Sequence, residues 1–298
     1  MKIAITGSSG LIGTALQASL EADGHRVLRL VRGYPRAENE ARIDPGSRTL
    51  DPAVLADVDA VVNLAGAGTG DQRWTAAYRQ QILDSRVDTT ATVVQAMLAA
   101  ERPVPVLVSA SAMGIYGQDR GDEVLHETST GGPGFLADVC RAWEAATAPA
   151  SDAGIRVAHL RTGLVMSHRG GALARILPFF KAGVGGPLGR GRMWWSPISL
   201  HDEVAAIRHL VTTDNASGPF NLTAPQPVRN VDFSKALGAA LGRPSLVPVP
   251  PPALRLLFGE FAGDILGSLR VVPTALLESG FAFAHPDAAA IVRAGLSD

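Results

Sequence analysis

The chain has 298 residues, of which 46% are apolar and 18% charged, with a net charge of −1. That balance excludes a disordered chain, and the scattered Lys and Arg leave neither a nucleic-acid footprint nor a basic amphipathic helix for a membrane surface. One cysteine, Cys140, excludes an intrachain disulfide, and no run of about 18 apolar residues spans a bilayer.

The chain opens on Met1–Gly13, where an apolar stretch too short for a secretory signal is broken by Gly7 and Ser8. A soluble, cytoplasmic protein is expected. Short Val- and Ile-rich runs then recur at Lys2–Thr6, Val27–Val31, Ala60–Ala65, Val104–Ser109 and Val157–Leu160. Helix-like stretches lie between them at Leu11–Ala22, Trp74–Ala100 and Leu136–Ser151, with Gly24 placed as a C-cap glycine. Apolar runs without alternation fit strands buried on both faces, and strands alternating with helices predict a parallel sheet. The fold class is α/β, a Rossmann-type doubly wound parallel sheet. Beyond Gly163 the texture turns rich in Gly and Pro, notably over Gly183–Gly191 and Arg243–Pro252. Helical patterns follow at Asp202–Thr213, Val231–Leu241 and Pro252–Leu269. We expect a core over residues 1–163 and a smaller α+β substrate lobe over 164–298, interleaved with the last strands of the core.

Thr6-Gly7-Ser8-Ser9-Gly10-Leu11-Ile12-Gly13 spaces three glycines between a buried run and an amphipathic helix. That context predicts a dinucleotide site. Gly7 permits a tight turn, Gly10 lets backbone approach the pyrophosphate, and Gly13 lets the helix pack closely on the sheet. The free N–H groups of Ser9 to Gly13 face the phosphates, helped by the helix dipole. The second run ends in Val31-Arg32-Gly33 with no carboxylate for a ribose 2′-hydroxyl. The Arg32 guanidinium suits the 2′-phosphate of NADP instead, so NADP(H) is favoured over NAD(H). Asp44 either hydrogen-bonds adenine or starts a turn before Pro45.

From Asn63-Leu64-Ala65-Gly66 onward the chain resembles the extended short-chain dehydrogenases/reductases. It is most similar to an atypical branch, the YfcH-like NAD(P)-dependent nucleotide-sugar epimerases. The segments that carry this include Arg73-Trp74, Ser85-Arg86-Val87, Ser109 through Gly117, Trp143-Glu144 and Arg161-Thr162-Gly163. They continue with Gly185 through Gly189, Gly218 through Asn221, Ala224-Pro225, Gly259-Glu260 and Gly280-Phe281. The resemblance implies that Leu64, Ala65, Gly66 and Ser109 line the cofactor. It places Arg86 near the pyrophosphate or substrate, and Gly163 and Val165 near the nicotinamide.

The wider superfamily is similar in using a Ser with a YxxxK pair, the Tyr as acid/base and the Lys to lower its pKa and hold the ribose. Ser111 stands where that serine belongs. The YxxxK window falls on Leu136 to Cys140, so Leu replaces Tyr and Cys replaces Lys. Leu moves no proton and a thiol offers no permanent charge. Cys140 reads as a small buried hydrophobe. Tyr116 is the substitute acid/base candidate, with Arg161 or Arg192 as the cation it would need; the other reading is a structural tyrosine over the cofactor.

In the lobe, the branch's W-I-H-x-D-D pattern meets Pro197-Ile198-Ser199-Leu200-His201-Asp202. Ser199 replaces the His, His201 takes an acidic position, and Asp202 is as readily an N-cap. Arg161 is also a substrate candidate, with Arg190, Arg192 and Trp194 behind the Gly-rich loop, which is either a lid or a surface turn. No histidine or cysteine spacing points to a metal, and no GxSxG elbow to a hydrolase. Two functions remain open: an NADP(H)-dependent oxidoreductase or epimerase acting on a sugar nucleotide or other small molecule, with a homodimer as the possible assembly, or a non-catalytic NADPH-binding sensor or interaction protein.

Overall fold

The computed structural model describes residues 1–298 apart from the Leu257 side chain. The strands in chain order are β1 (Lys2–Thr6), β2 (Arg26–Val31), β3 (Glu40–Asp44), β4 (Thr49–Leu50), β5 (Ala60–Asn63), β6 (Val106–Ala112), β7 (Val124–Leu125), β8 (Arg156–Thr162), β9 (Leu164–Ser167), β10 (Trp194–Trp195), β11 (Pro197–Ser199), β12 (Gly218–Leu222), β13 (Val228–Arg229) and β14 (Arg270–Val271). The helices are α1 (Leu11–Ala22), α2 (Ala76–Ala99), α3 (Phe135–Ala145), α4 (Ala148–Asp152), α5 (Gly171–Lys181), α6 (Leu200–Thr212), α7 (Asn230–Leu241), α8 (Pro251–Phe258), α9 (Ala262–Ile265), α10 (Thr274–Glu278) and α11 (Ala288–Ser297).

Eight strands form one sheet in the order β12-β8-β6-β5-β1-β2-β3-β4. All neighbours run parallel except β3 with β4, a hairpin at the edge. Successive side chains point to opposite faces, and both faces are covered. Ile3, Ile5, Val62, Val108 and Leu160 pack under α1 and α6, while Ala4, Val61, Leu107 and Val157 pack with Val93, Val94 and Met97 of α2. Ile3, Ile5 and Leu16 are fully buried, and each such side chain contributes roughly 1.5–3 kcal/mol of transfer free energy. This is the doubly wound sheet that the five apolar runs predict. Gly24 follows α1 with φ +78°, as a C-cap glycine does.

The second half of the chain returns β12 to the edge of the main sheet and builds a separate core. Met166, Leu173, Phe180, Trp195, Phe233, Leu237 and Ile291 form its centre. Two expected helices are interrupted. Leu136–Ser151 divides into α3 and α4 at Ala146-Thr147, where Pro149 opens the second piece. Pro252–Leu269 divides at Gly259, whose φ of +60° ends α8. Helix α5 was not expected: Gly170, Gly171 and Pro178 disguise it, yet Leu173, Leu177 and Phe180 are buried along one face. Among the described residues no helix is long and apolar enough to cross a membrane.

Candidate functional site

In chain order the crossovers run outward from β1 through β2 and β3, then return to β5 on the other side of β1. The carboxyl ends of β1 and β5 therefore mark the switch point of the sheet, where open α/β sheets form their ligand crevice. Gly7 has φ +68°, and a Cβ there would stand 2.9 Å from the Leu64 carbonyl carbon. The loops after β1 and β5 thus meet backbone to backbone. A Cβ on Gly13 would stand 2.2 Å from the Gly7 oxygen, so its absence lets α1 abut the turn itself. The sequence reading gave Gly13 to helix–sheet packing; the contact is with the turn. Ser9 and Gly10 are exposed at the mouth. No side chain caps α1, and among the described residues the N–H groups of Leu11, Ile12 and Gly13 have no acceptor. Leu11, Ile12, Leu64 and Val165, from three separate segments, pack together on the edge of the core.

The crevice is held from below by a buried polar hub that motif reading missed. Thr6 Oγ1 donates to Asn63 Oδ1 at 2.6 Å and accepts the N–H groups of Leu64 and Ala65, both at 3.1 Å. Asn63 Nδ2 donates to Thr90 at 2.8 Å and to Ser109 at 3.3 Å. Ser109 is fully buried here; its hydroxyl faces Asn63, so its side chain braces the cofactor strand from beneath. Thr6 flanked the glycine turn and Asn63 and Ser109 stood in the segments that carry the resemblance, but nothing in the sequence joined them or pointed to Thr90.

At the end of β2, Arg32 is exposed and has no ion-pair partner among the described residues. Asp44 shows the turn rather than an open carboxylate: Oδ1 accepts Gly46 N at 3.1 Å and Ser47 N at 3.3 Å, and Oδ2 lies 3.6 Å from Arg42.

Arg86 projects from α2 toward Gly66, where a Cβ would meet its Cζ at 3.1 Å. Its Nη1 donates to the carbonyls of Ala67 and Ile82, each at 2.9 Å, and its guanidinium lies 5.0 Å from the Trp143 ring centre. Burial lowers its pKa, and Cys140 lies close enough to act on it. Cys140 itself is buried, and burial pushes its thiol up to about 11, which fits a small hydrophobe.

Ser111, Tyr116 and Arg161 converge, as the sequence reading placed them, but in a closed network. Ser111 Oγ donates to Glu144 at 2.7 Å, and Arg161 pairs with both Glu144 oxygens at 2.9 and 3.0 Å. Arg161 Nη1 also donates to Tyr116 Oη at 3.1 Å and to the Glu127 carbonyl at 2.9 Å. The Tyr116 hydroxyl donates to Asn221 Oδ1 at 2.7 Å, and its side chain is fully buried. The cation that Tyr116 needs is present, yet burial outweighs the Arg161 field and raises the phenol pKa. The sequence left Tyr116 open between an acid/base and a structural tyrosine; here its hydroxyl is buried and links Arg161 of β8 to Asn221 of β12. Arg161 likewise spends Nε, Nη1 and Nη2 inside the protein rather than on a substrate. For Glu144, burial raises the pKa, but hydrogen bonds from Arg161 and Ser111 and the Arg161 charge together hold it below the ordinary value. Glu144 was legible only as part of Trp143-Glu144. Its partners lie on other strands.

In the lobe, a Cβ on Gly163 would stand 2.4 Å from the Ser196 carbonyl oxygen, which explains the glycine where β8 passes β11. Arg190 and Arg192 are exposed. Trp194 lies between the guanidinium groups of Arg229 and Arg270 at 4.0 and 4.5 Å, and its Nε1 donates to Asp122 at 2.7 Å. The Gly-rich loop is tied down by Leu188 N to Asn230 Oδ1 and Gly189 N to Val249 O, both 2.8 Å. A pinned surface turn is what this region shows. Ser199 caps α6 through Asp202 N at 3.0 Å and contacts His285 Nδ1 at 2.9 Å. Asp202 is not the cap: its oxygens accept Ala284 N and His285 N at 3.0 and 2.9 Å. Next to it, Glu203 is fully buried; Oε1 accepts from Thr162 at 2.8 Å and Oε2 has no partner. Burial pushes its pKa up to about 8.

The family model described as the NAD dependent epimerase/dehydratase family matches residues 3–221, and a domain of unknown function (DUF1731) matches residues 249–294. An epimerase family protein of Mycobacterium tuberculosis is 46% identical over 284 residues, covering 95% of this chain and 93% of that protein. The crystal structure of the human epimerase family protein SDR39U1 (isoform 2) with NADPH superposes with a TM-score of 0.88 at 29% identity, covering 99% of each chain. A nucleoside-diphosphate sugar epimerase from Corynebacterium glutamicum gives a TM-score of 0.82 at 37% identity, covering all of this chain (100%) and 59% of that one.

Proposed function

The chain belongs to the NAD dependent epimerase/dehydratase family, and on that premise we propose that it is an NADP(H)-binding oxidoreductase or epimerase of the extended short-chain type, acting on a sugar nucleotide or another carbonyl or hydroxyl compound. The observation that carries this reading is the turn at the switch point: two glycines, Gly7 and Gly13, where a side chain would collide with backbone, and three free N–H groups at the start of α1. Bare donors at a helix N-terminus with no capping side chain suit a pyrophosphate. Gly7, Ser9, Gly10, Leu11, Ile12 and Gly13 would hold it. Leu64, Ala65, Gly66, Gly163 and Val165 would line the rest of the dinucleotide. The human relative crystallised with NADPH supports the phosphorylated cofactor. Arg32, exposed and unpaired at the end of β2, is the group that would take the 2′-phosphate.

The nicotinamide cofactor supplies hydride acceptance and return. Ser111, at the end of β6, would orient a reacting hydroxyl or carbonyl, with Glu144 and Arg161 holding its Oγ in place. Tyr116 enters as a positioning residue through Arg161. Arg190 and Arg192, exposed on the lobe, would meet a substrate phosphate. A second reading, an NADPH-binding sensor, is favoured by one observation: Leu136 and buried Cys140 occupy the acid/base and cation positions.

Fluorescence titration with NADPH and NADH, followed by turnover with carbonyl compounds and sugar nucleotides, tests both. We expect Arg32→Ala to weaken NADPH about tenfold or more, the worth of a charge-assisted contact, and NADH far less. Equal weakening of the two would remove Arg32 from 2′-phosphate recognition. Tight NADPH binding with no turnover on any substrate would favour the sensor.

A further inference from the structure

We propose that the face of the lobe formed by the end of α5, the Gly-rich loop and the segment between α7 and α8 is a docking surface for an anionic lipid bilayer.

Residues 168–201 and 233–259 build this part of the lobe, and together they hold eight Lys and Arg and no Asp or Glu. They also hold five of the ten large apolar side chains that are exposed among the described residues: Phe179, Val184, Leu246, Val247 and Leu256. The fold sets two short stretches side by side. In the first, Val184 N donates to the Phe179 carbonyl at 3.0 Å, with Lys181 between them at the end of α5. In the second, Arg243 precedes Leu246 and Val247. A Cβ on Gly186 would stand 2.2 Å from the Val247 carbonyl oxygen, and Val249 N donates to the Pro187 carbonyl at 2.8 Å, so the two stretches meet backbone to backbone. Arg175 and Lys235 pair with Asp71 and Asp232, which lie outside both segments. Lys181 and Arg243 are exposed and have no carboxylate within ion-pair distance among the described residues.

The apolar side chains stand clear of the protein: Leu246 is 82% exposed and Phe179 58%. They protrude, where the lining of a peptide groove would be enclosed by walls. A second copy of this chain on the face would set Lys181 and Arg243 against their own like charges, with no carboxylate of either segment to answer them. A nucleic acid would meet the cations and leave the leucine and phenylalanine in water. An anionic bilayer answers both: lipid phosphates take the cations, and the acyl boundary beneath takes the apolar tips. The contact is peripheral, since among the described residues no helix is long and apolar enough to cross a membrane. No single helix carries the pattern, so the sequence shows no basic amphipathic stretch; the fold assembles the face.

Vesicle co-sedimentation measures the partition of the full chain onto phosphatidylcholine vesicles and onto equimolar phosphatidylcholine–phosphatidylglycerol vesicles. The proteins are wild type, the pair Lys181→Glu with Arg243→Glu, and the pair Phe179→Ser with Leu246→Ser. Wild type should bind the anionic vesicles about tenfold or more tighter than the neutral ones, and less as salt rises. The charge pair should lower binding about a hundredfold, and the apolar pair about tenfold. Melting temperatures should stay near wild type, because all four side chains already face solvent. None of these readouts depends on the cofactor. No binding to the anionic vesicles overturns the proposal and leaves the face to an acidic protein. Full binding by the charge pair overturns it, since another surface would then hold the lipid. Full binding by the apolar pair also overturns it, because adsorption of cations alone needs no apolar face. A wild-type dimer that the apolar pair dissociates, seen by sedimentation equilibrium, makes the face an interface between copies and overturns the bilayer.

Discussion

The turn after β1 and the network around Arg161 lie at the carboxyl ends of strands in one sheet, yet they treat their polar groups in opposite ways. The turn leaves three N–H groups without acceptors and strips side chains from the positions where a ligand backbone would pass. The network leaves almost nothing open: Ser111, Glu144, Arg161, Tyr116 and Asn221 complete one another's hydrogen bonds. One region leaves its donors open, the other closes them within the protein. The contrast teaches that the turn has the open donors the proposed cofactor site needs, while Leu136 and Cys140 stand where the superfamily's Tyr and Lys would be and the polar groups nearby are closed on one another. Buried, saturated polar networks rigidify what they touch. Here that is the strand end bearing Ser111.

The comparison can be broken most severely at Arg161. Arg161→Met would leave the Glu144 carboxylate buried and uncompensated, a loss of about 3–5 kcal/mol of stability, read by urea unfolding. Adding Glu144→Gln should restore much of it. If Arg161→Met unfolds no earlier than wild type, the network is not a structural unit. Next comes the open region. A methyl at Gly13 would press on the Gly7 carbonyl, 2.2 Å from the added atom, so Gly13→Ala should weaken NADPH by about a hundredfold as the turn shifts. Full NADPH affinity in this variant would mean the turn does not hold the pyrophosphate.

The smallest effect concerns Glu203, which belongs to neither plan: its Oε2 is buried without partner or ligand. Its pKa lies at about 8 in the folded protein against an ordinary 4.5. Between those values the folded state holds more protons than the unfolded state. Stability from this group is therefore present below the lower value and is lost as pH rises toward the upper one. Glu203→Gln removes the titration. Its gain over wild type should grow by on the order of 2 kcal/mol from about pH 5 to about pH 7, measured by thermal melting. A difference independent of pH would show that Glu203 is not held neutral.

Much of the first region was legible in the sequence because its requirements are local. A turn with φ of +68° at Gly7 and a close approach at Gly13 can be met only by glycine, so spacing alone reveals them. Runs of Val and Ile gave the five strands β1, β2, β5, β6 and β8, since burial on both faces leaves no polar alternation. Helix α5 escaped because Pro178 and its flanking glycines imitate a loop until the lobe core buries Leu173 and Phe180. Asp44 remained open between adenine and a turn because both uses begin with the same residue.

The amino-acid sequence by itself determined the sheet, the glycine turn after β1, the absence of the Tyr–Lys pair and an Arg rather than a carboxylate at the end of β2. Those rest on periodicity, on backbone geometry near one residue, or on which side chains are present at all. The tertiary structure alone decided that Tyr116 is sealed inside, that Arg161 belongs to Glu144, and that Thr6 and Asn63 bind two loops together. Each depends on which side chains from distant segments share a low-dielectric space. Pairing and burial there set whether a polar group is satisfied, neutral or left for a ligand.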